Sequence, residues 1–326
     1  MKKNQSVLLL GTGGTIAGQT LSDKNPDFYK SGQLGIANLL ASSEAQDVPV
    51  QHRDIAQIDS KAMGLPVWQA LCRALEEAMQ DDAIVGVVIT HGTDTVEETG
   101  FLLHAMGPWG KPVILTCAMR PADHPLADGP THLREALRMV LTAPKGVFVL
   151  FGAQLHHATE VQKIATDALT AFGSGDQGPA AQKIEGQWQW REAPVVLHAI
   201  LRPSMTAFLA ALEWPWVEWL THRAAAHAQV VQGLLEREPG LTPSLKGLVV
   251  AGTGAGTINQ AWLEALQLAQ ARGIWVWLSS RCVWGHALPQ ADQPSLERTP
   301  WPPAKACVAM ALALMASQEK NSALEG

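Results

Sequence analysis

The chain has 326 residues, of which 47% are hydrophobic and 17% are charged, and its formal net charge is −6. This composition is typical of a well-packed globular protein rather than a disordered one, and the length allows two domains. The negative charge and the lack of basic clusters argue against nucleic acid and anionic membranes as partners.

Three features bear on the compartment. The first apolar run covers only residues 7–10, which is too short for the core of a signal peptide. No stretch is long and uncharged enough to span a bilayer. The cysteines are scattered without a Cys-x-x-Cys pair, which favours structural thiols over a metal site or a disulfide framework. We therefore expect a cytoplasmic protein with no membrane contact.

Strands alternate with helices along the first half of the chain. The predicted strands are residues 6–10, 51–58, 84–90, 113–117 and 146–151; the predicted helices are residues 34–41, 62–80, a segment opening near 95 and ending before 107, and 130–141. Asp128 is expected to cap the last of these helices. Such alternation predicts a parallel sheet with helices on both faces, a doubly wound α/β fold. We assign residues 1–190 to this large N-terminal domain and expect an exit loop or a hairpin at 173–192.

The second half of the chain predicts a smaller α/β domain, also with a parallel sheet. Residues 191–213 are assigned as a linker, because the apolar sequence there is interrupted by prolines. In the C-terminal domain, residues 214–326, the predicted strands are 248–251 and 274–278 and the predicted helices are 259–271 and 303–317.

The stretch IVGVVITHGTDTVEETG, residues 84–100, predicts a ligand site. A buried strand is followed at once by a tight turn and a helix, and Thr95 and Glu98 have the spacing of a capping box. The turn places Thr93 and Asp94 at the carboxyl end of a strand of an open sheet, where ligands bind.

A second stretch, GTGGTIAG at residues 11–18, has the same layout after the first strand. Its glycines let the backbone bend and a ligand approach the threonine hydroxyls. A nucleotide loop is disfavoured, because no Gly-Lys-Ser/Thr ending follows and Ile16 stands where a third glycine belongs. Tyr29, in the polar loop that follows, is the only tyrosine in a chain with 12 tryptophans.

These two stretches resemble the two signatures of the bacterial-type L-asparaginases and glutaminase-asparaginases. The segments AMRP at residues 118–121 and ADGP at 127–130 resemble two further landmarks. The resemblance implies hydrolysis of L-asparagine to L-aspartate and ammonia through a threonine nucleophile and an acyl-enzyme, with no metal or organic cofactor. It also implies a homotetramer, built as a dimer of dimers, with active sites completed across an interface.

The resemblance also implies roles for individual residues. Thr12 matches the attacking threonine, and Tyr29 matches the loop tyrosine beside it. Thr93, Asp94 and Lys163 match a second constellation, in which the lysine lowers the cost of deprotonating a nearby hydroxyl. Thr12 is preferred here as the nucleophile, and the neighbouring threonine at position 15 is interpreted as a turn or cap residue.

Further residues are expected to bind the substrate. Asp94 would hold the α-ammonium group and Ser60 the α-carboxylate. Lys61 occupies a position at which many family members have a neutral residue, and it would place a positive charge near the α-carboxylate of the substrate. Main-chain amides near Thr93 and Ala118 would hold the oxyanion.

Two departures from the family pattern concern the binding of the substrate. Ala255 occupies a position where the family often has an asparagine that reaches the neighbouring subunit's site. No glutamate matches the family's acidic residue after the Ser-Ser-Arg strand, although Asp292 or Glu297 could substitute.

Other functions stay open at this point. One is a glutaminase-asparaginase, or a hydrolase of another amino-acid amide. A second is a non-catalytic amino-acid-binding protein, which would have no need of a nucleophile and a base together. A third is the deamidase subunit of a tRNA-dependent amidotransferase, which would need an added N-terminal domain.

Overall fold

The computed structural model describes residues 4–22, 28–45, 47–191, 198–237, 243–291 and 295–325. The chain divides into two units, Met1–Leu197 and His198–Gly326.

The N-terminal unit is built around one large sheet. Its strands are β1 (Ser6–Gly13), β2 (Gln19–Thr20), β3 (Tyr29–Lys30), β4 (Val50–Ile58), β5 (Ile84–Thr90), β6 (Pro112–Thr116), β7 (Gly146–Phe151), β8 (Gln154–His157), β9 (Gln162–Lys163), β10 (Phe172–Gly173), β11 (Ala181–Ile184) and β12 (Gln187–Trp190). Its helices are α1 (Ile36–Ser42), α2 (Leu65–Gln80), α3 (Val96–Met106) and α4 (Gly129–Met139). The large sheet has the strand order β12-β11-β8-β7-β6-β5-β1-β4.

The adjacent strands β7, β6, β5, β1 and β4 run parallel. Beyond β7, the sheet continues with β8, β11 and β12, which form antiparallel pairs. The hairpin expected within residues 173–192 is therefore β11–β12. Strand β5 pairs with β1 on one side and with β6 on the other. Its residues Val87–Ile89 are completely buried. This location explains why the strand is apolar and β-branched without alternation.

Helices cover both faces of the sheet, as a doubly wound fold requires. Val7 and Leu9 of β1 share one core cluster with Leu39 of α1 and Leu137 of α4. Helices α2 and α3 pack against strands β5 and β7. Because side chains alternate along a strand, the β1 residues next to Val7 and Leu9 point to the opposite face of the sheet. The predicted α/β class is confirmed.

Two helix starts differ from the prediction. Thr95 lies at the N-cap of α3, but its hydroxyl donates to the Ser60 carbonyl oxygen at 2.8 Å instead of capping the helix. Asp128 lies at the N-cap of α4, yet its carboxylate accepts the backbone N–H groups of Met119 and Arg120. Both side chains join separate segments of the chain, which a local capping rule does not consider.

The C-terminal unit is a smaller α/β unit with a parallel sheet, as predicted. Its helices are α5 (Met205–Ala210), α6 (Gln229–Arg237), α7 (Gln260–Ala271) and α8 (Pro303–Glu325), and its strands are β13 (Trp216–Thr221), β14 (Leu245–Gly252), β15 (Trp275–Ser280) and β16 (Glu297–Arg298). The strands follow the order β13-β14-β15-β16, all parallel. Helix α5 lies within the segment predicted as a linker.

Among the described residues, no helix combines the length and the hydrophobicity needed to cross a bilayer. None of the four cysteines forms a disulfide bond.

Candidate active site

The two glycine-containing turns predicted to form a site lie against each other at the carboxyl ends of β1 and β5. A β-carbon on Gly14 would clash with the backbone of Gly92, and one on Gly92 would lie 2.5 Å from Ser60 Oγ. Gly14 also has a φ of 79°, in the left-handed region that favours glycine. Only glycine allows the two backbones to approach this closely, so both positions serve to bring the two turns together.

Thr15 is the first residue of a 3-10 turn that follows Gly14. Its hydroxyl oxygen lies 2.9 Å from the phenolic oxygen of Tyr29. The Tyr29 ring lies over Gly18, where a β-carbon would come within 3.0 Å of the ring atom Cδ2. The only phenol of the chain is thus hydrogen-bonded to a threonine hydroxyl at the end of β1.

The structure brings together the side chains of Thr93, Asp94 and Lys163. Lys163 Nζ lies 2.9 Å from Thr93 Oγ1 and 2.6 Å from Asp94 Oδ1. The backbone N–H of Lys163 donates to Glu97 Oε2 at 3.1 Å, so the first turn of α3 holds the short strand β9 that carries the lysine. An ammonium group beside a hydroxyl stabilises the alkoxide that forms when the hydroxyl loses its proton.

Both constellations face one pocket of about 530 Å³. It is lined by Thr15, Tyr29, Ser31, Asp59, Ser60, Thr93, Asp94, Met119, Arg120, Pro121, Lys163, Thr166 and Asp167. A second cavity, of about 490 Å³ in the C-terminal unit, is lined largely by aromatic and aliphatic side chains and contains neither of these threonine groups. The first pocket is therefore the candidate active site.

The position of Thr12 does not favour the expectation that it is the attacking threonine. Thr12 is still part of strand β1, is 1% exposed, and donates its hydroxyl to the Thr90 carbonyl oxygen at 2.9 Å. It is not among the residues that line the pocket, whereas Thr15 is. The sequence carried a signal for this difference in its two consecutive glycines. Gly13 and Gly14 both adopt positive φ, and the strand ends there, before Thr15.

The predicted substrate-binding residues differ in whether they line the pocket. Ser60, Thr93 and Asp94 line the pocket, but Lys61 does not. The Lys61 side chain is 76% exposed, and its Nζ lies 3.0 Å from Asp59 Oδ2. The Asp59 carboxylate, by hydrogen bonding and by its charge, raises the pKa of Lys61 above its ordinary value. Asp59, which sequence reasoning missed, lines the pocket in place of the lysine.

Ala118, expected beside the oxyanion, is completely buried and does not line the pocket. The next two residues, Met119 and Arg120, do line it. Their backbone N–H groups donate to the two carboxylate oxygens of Asp128 at 2.9 and 3.0 Å. These two amides are therefore engaged within the protein and are poorly suited to bind an oxyanion.

Other reactive side chains near the site are buried and structural. His91 is fully buried, with Nδ1 2.8 Å from the Gly92 carbonyl oxygen and Nε2 2.9 Å from Thr99 Oγ1. Burial lowers the pKa of His91 to about 4, so its imidazole is neutral at pH 7. Burial also raises the pKa of the Cys117 thiol, which keeps it protonated and poorly nucleophilic.

The two departures predicted for the C-terminal half lie within the C-terminal unit. Ala255 belongs to the turn after β14, where its carbonyl oxygen accepts the backbone N–H of Leu288 at 2.9 Å. Glu297 begins strand β16. Asp292 lies outside the described residues. In the part of the chain that the structure describes, no group of three or more His, Cys, Asp and Glu side chains is placed to hold a metal ion.

Comparison with known proteins defines the class to which this fold and site belong. The model of the asparaginase N-terminal domain matches residues 6–196, and the model of the glutaminase/asparaginase C-terminal domain matches residues 222–324. Together they span most of the chain. The chain belongs to the asparaginase family.

Individual relatives agree with this assignment. The probable periplasmic L-asparaginase of Haemophilus influenzae is 32% identical over 88% of this chain and 80% of its own length. The glutaminase-asparaginase of Pseudomonas fluorescens is 30% identical over 90% of this chain and 80% of its length. The crystal structure of a probable cytoplasmic L-asparaginase from Campylobacter jejuni superposes with a TM-score of 0.82 at 30% identity, covering 95% of both chains.

Proposed function

We propose that this protein is an L-asparaginase that hydrolyses the side-chain amide of L-asparagine to L-aspartate and ammonia. One observation carries the proposal: two threonine hydroxyls face a single pocket, and each is hydrogen-bonded to a group that can take part in proton transfer. The names of the relatives, which are L-asparaginases and glutaminase-asparaginases, support the substrate class.

Thr15 is the nucleophile of the proposed reaction. Its hydroxyl oxygen attacks the side-chain amide carbon, while its proton is shared with the Tyr29 phenol 2.9 Å away. When the C–N bond breaks, the proton lost by the hydroxyl is carried away on the departing ammonia. The substrate acyl group is left as an ester on Thr15. A Thr12 nucleophile is disfavoured, because that hydroxyl donates to Thr90 and the residue does not line the pocket.

The second constellation serves the hydrolysis of this ester. Lys163 and Thr93, 2.9 Å apart, polarise a water molecule that attacks the ester carbon. The water adds a hydroxyl group to the acyl carbon and returns a proton to the Thr15 oxygen, so aspartate and free enzyme result. Asp94, 2.6 Å from Lys163 Nζ, balances the lysine charge and offers its other carboxylate oxygen to the substrate α-ammonium. Ser60 binds the α-carboxylate.

Asparagine is the proposed preferred substrate, with weaker use of glutamine. The longer side chain of glutamine requires a firmer hold on its α-substituents, and Ala255 lacks the polar group that the family often has at that position. The decisive experiment measures ammonia release from L-asparagine, L-glutamine and amides of other amino acids. Turnover of none of them, combined with binding of a free amino acid, would instead indicate a non-catalytic binding protein.

The compartment and the assembly belong to the same proposal. We propose a cytoplasmic homotetramer, supported by a structural relative that is named cytoplasmic and by the family resemblance. A relative named periplasmic makes cell fractionation the necessary test of the compartment. Light scattering at the assay concentration tests the assembly, and an active monomer would contradict it.

A further inference from the structure

The loop between β6 and α4 contacts the strand pair that carries Tyr29. The backbone N–H of Ala122 donates to the Gly18 carbonyl oxygen at 3.0 Å. The carboxylate of the next residue, Asp123, accepts hydrogen bonds from Thr20. The Thr20 backbone N lies 3.0 Å from each carboxylate oxygen, and the Thr20 hydroxyl lies 2.9 Å from Oδ2. Hydrogen bonds to an ionised group are roughly twice as strong as neutral ones. Two consecutive loop residues thus hold the chain between Gly18 and Thr20.

Gly18 and Thr20 are also direct neighbours of Tyr29. Thr20 pairs directly with Tyr29 across the antiparallel strands β2 and β3. Gly18 lies under the Tyr29 ring. From this position the phenol reaches Thr15 Oγ1 at 2.9 Å. The Asp123 carboxylate therefore holds the backbone position that lies directly opposite Tyr29 in the strand pair.

The loop that presents Asp123 has its own support. Asp128 accepts the backbone N–H groups of Met119 and Arg120, which closes the loop on itself. The His124 N–H donates to the Pro121 carbonyl oxygen at 3.0 Å within it. Asp123 thus projects from a hydrogen-bonded loop whose first residues line the active-site pocket.

We propose that Asp123 is a positioning residue for Tyr29, acting through Thr20 and touching neither the substrate nor the reacting atoms. The inference rests on the proposed function, in which the phenol assists Thr15. A displacement of about 1 Å at a reacting group costs up to about a hundredfold in rate. Asp123→Ala is therefore expected to lower kcat by about tenfold to a hundredfold, with little change in the KM for asparagine.

A double-mutant cycle separates this role from a general structural one. Tyr29→Phe removes the phenolic oxygen, so Asp123 then has nothing left to position. The double variant should be about as slow as Tyr29→Phe alone, because residues acting through one group are non-additive. Asp123→Asn keeps one acceptor for the Thr20 N–H and should fall between wild type and Asp123→Ala. Asp82→Ala, at another exposed aspartate outside the pocket, is the matched control.

A spectroscopic readout tests the same idea without catalysis. Because Tyr29 is the only tyrosine, protein labelled with 3-fluorotyrosine has one ¹⁹F resonance. Asp123→Ala should shift or broaden this resonance, Thr20→Ala should do so to a smaller extent, and Asp82→Ala should leave it unchanged.

An unchanged resonance in Asp123→Ala, or rate losses that multiply in the cycle, would overturn the proposal. If the wild-type protein released no ammonia from asparagine, the proposed function would fail, and the ¹⁹F comparison would still decide whether Asp123 positions Tyr29. If Asp123→Ala does not fold, Thr20→Ala tests the hydroxyl contact to Asp123 alone: a small shift of the ¹⁹F resonance is expected, and an unchanged resonance would overturn the proposal.

Discussion

The hydroxyl oxygen of Thr15 lies 2.9 Å from the phenolic oxygen of Tyr29, and this contact distinguishes Thr15 from the other threonine of the same glycine-rich segment. Thr12 is still within strand β1, and its hydroxyl donates to the Thr90 carbonyl oxygen of the neighbouring strand. A hydroxyl already engaged in this way, and outside the pocket, is poorly placed to attack a substrate. Thr15 comes after the strand has ended and faces the pocket.

The first prediction compares these two threonines. Thr15→Ala should lower kcat on the order of a thousandfold or more, because it removes the attacking oxygen. Thr12→Val keeps the shape and removes one buried hydrogen bond, so it should cost about 1 kcal/mol of the free energy of unfolding and leave most of the activity. Ammonia release and urea denaturation of both variants provide the measurements. An inactive, folded Thr12→Val beside an active Thr15→Ala would reverse the assignment.

The second prediction concerns Lys163 and Thr93, which form a direct hydrogen bond. Lys163→Met keeps most of the side-chain volume and removes the charge, so the loss should fall on kcat, by about a hundredfold or more. Thr93→Val should act on the same step. The double variant should be hardly slower than the slower single variant, as for residues that work as one unit. Rates whose losses multiply would indicate independent roles.

The third prediction concerns the pH dependence of stability. Complete burial lowers the pKa of His91 to about 4, whereas an unfolded chain has the ordinary value of 6.5. Between these values the unfolded state binds more protons, so the free energy of unfolding should fall as the pH falls through this window, by up to about 1.4 kcal/mol per pH unit. His91→Gln cannot titrate and should flatten the slope of the free energy of unfolding against pH. Equal slopes for wild type and His91→Gln would contradict the assignment.

Local sequence patterns predicted the elements of the sheet well where burial alone determines them. Strand β5 was predicted with the observed bounds, Ile84–Thr90, because an uncharged β-branched run has no place other than the centre of a parallel sheet. The end of β1 was predicted too early. The strand extends to Gly13 because of its pairing with Ile58 of β4, which is a non-local contact.

The site depends more heavily on such non-local contacts. Lys163 and Thr93 are separated by 70 positions, and in the sequence only the family resemblance connects them. Asp123 and Asp128 bind backbone groups of segments that are not their immediate neighbours, and no periodicity predicts the conformation of a loop. The capping rule failed for Asp128 for the same reason: its carboxylate has better partners in the segment before the helix.

The fourth prediction concerns Ala255 and the affinity for the substrate. If this position corresponds to the family's asparagine, Ala255→Asn adds a hydrogen bond to the substrate-binding site. One hydrogen bond contributes about 0.5–1.5 kcal/mol, so the KM for asparagine should fall roughly two- to tenfold with kcat nearly unchanged. Ala255→Leu, similar in size but without polar groups, is the control. A KM that does not respond to Ala255→Asn would show that the residue is outside the site.

The last prediction concerns the ion pair between Lys61 and Asp59 at the edge of the pocket. The lysine ammonium is exposed, but the aspartate carboxylate that it neutralises lines the pocket beside Ser60. Lys61→Gln therefore leaves an unpaired negative charge near the proposed position of the substrate α-carboxylate. The KM for asparagine should rise about two- to fivefold, as expected for an exposed pair, with kcat nearly unchanged.

Salt and a second substitution test this electrostatic cause directly. The rise in KM for Lys61→Gln should shrink at high ionic strength, where exposed charges are screened. Asp59→Asn removes the negative charge but retains an oxygen that can accept the backbone N–H of residue 61, the bond that caps the short turn there. In the Lys61→Gln background it should therefore restore the KM toward the wild-type value. A KM that rises further in the double variant would mean that Asp59 binds the substrate itself, by its carboxylate, rather than acting only as the partner of Lys61.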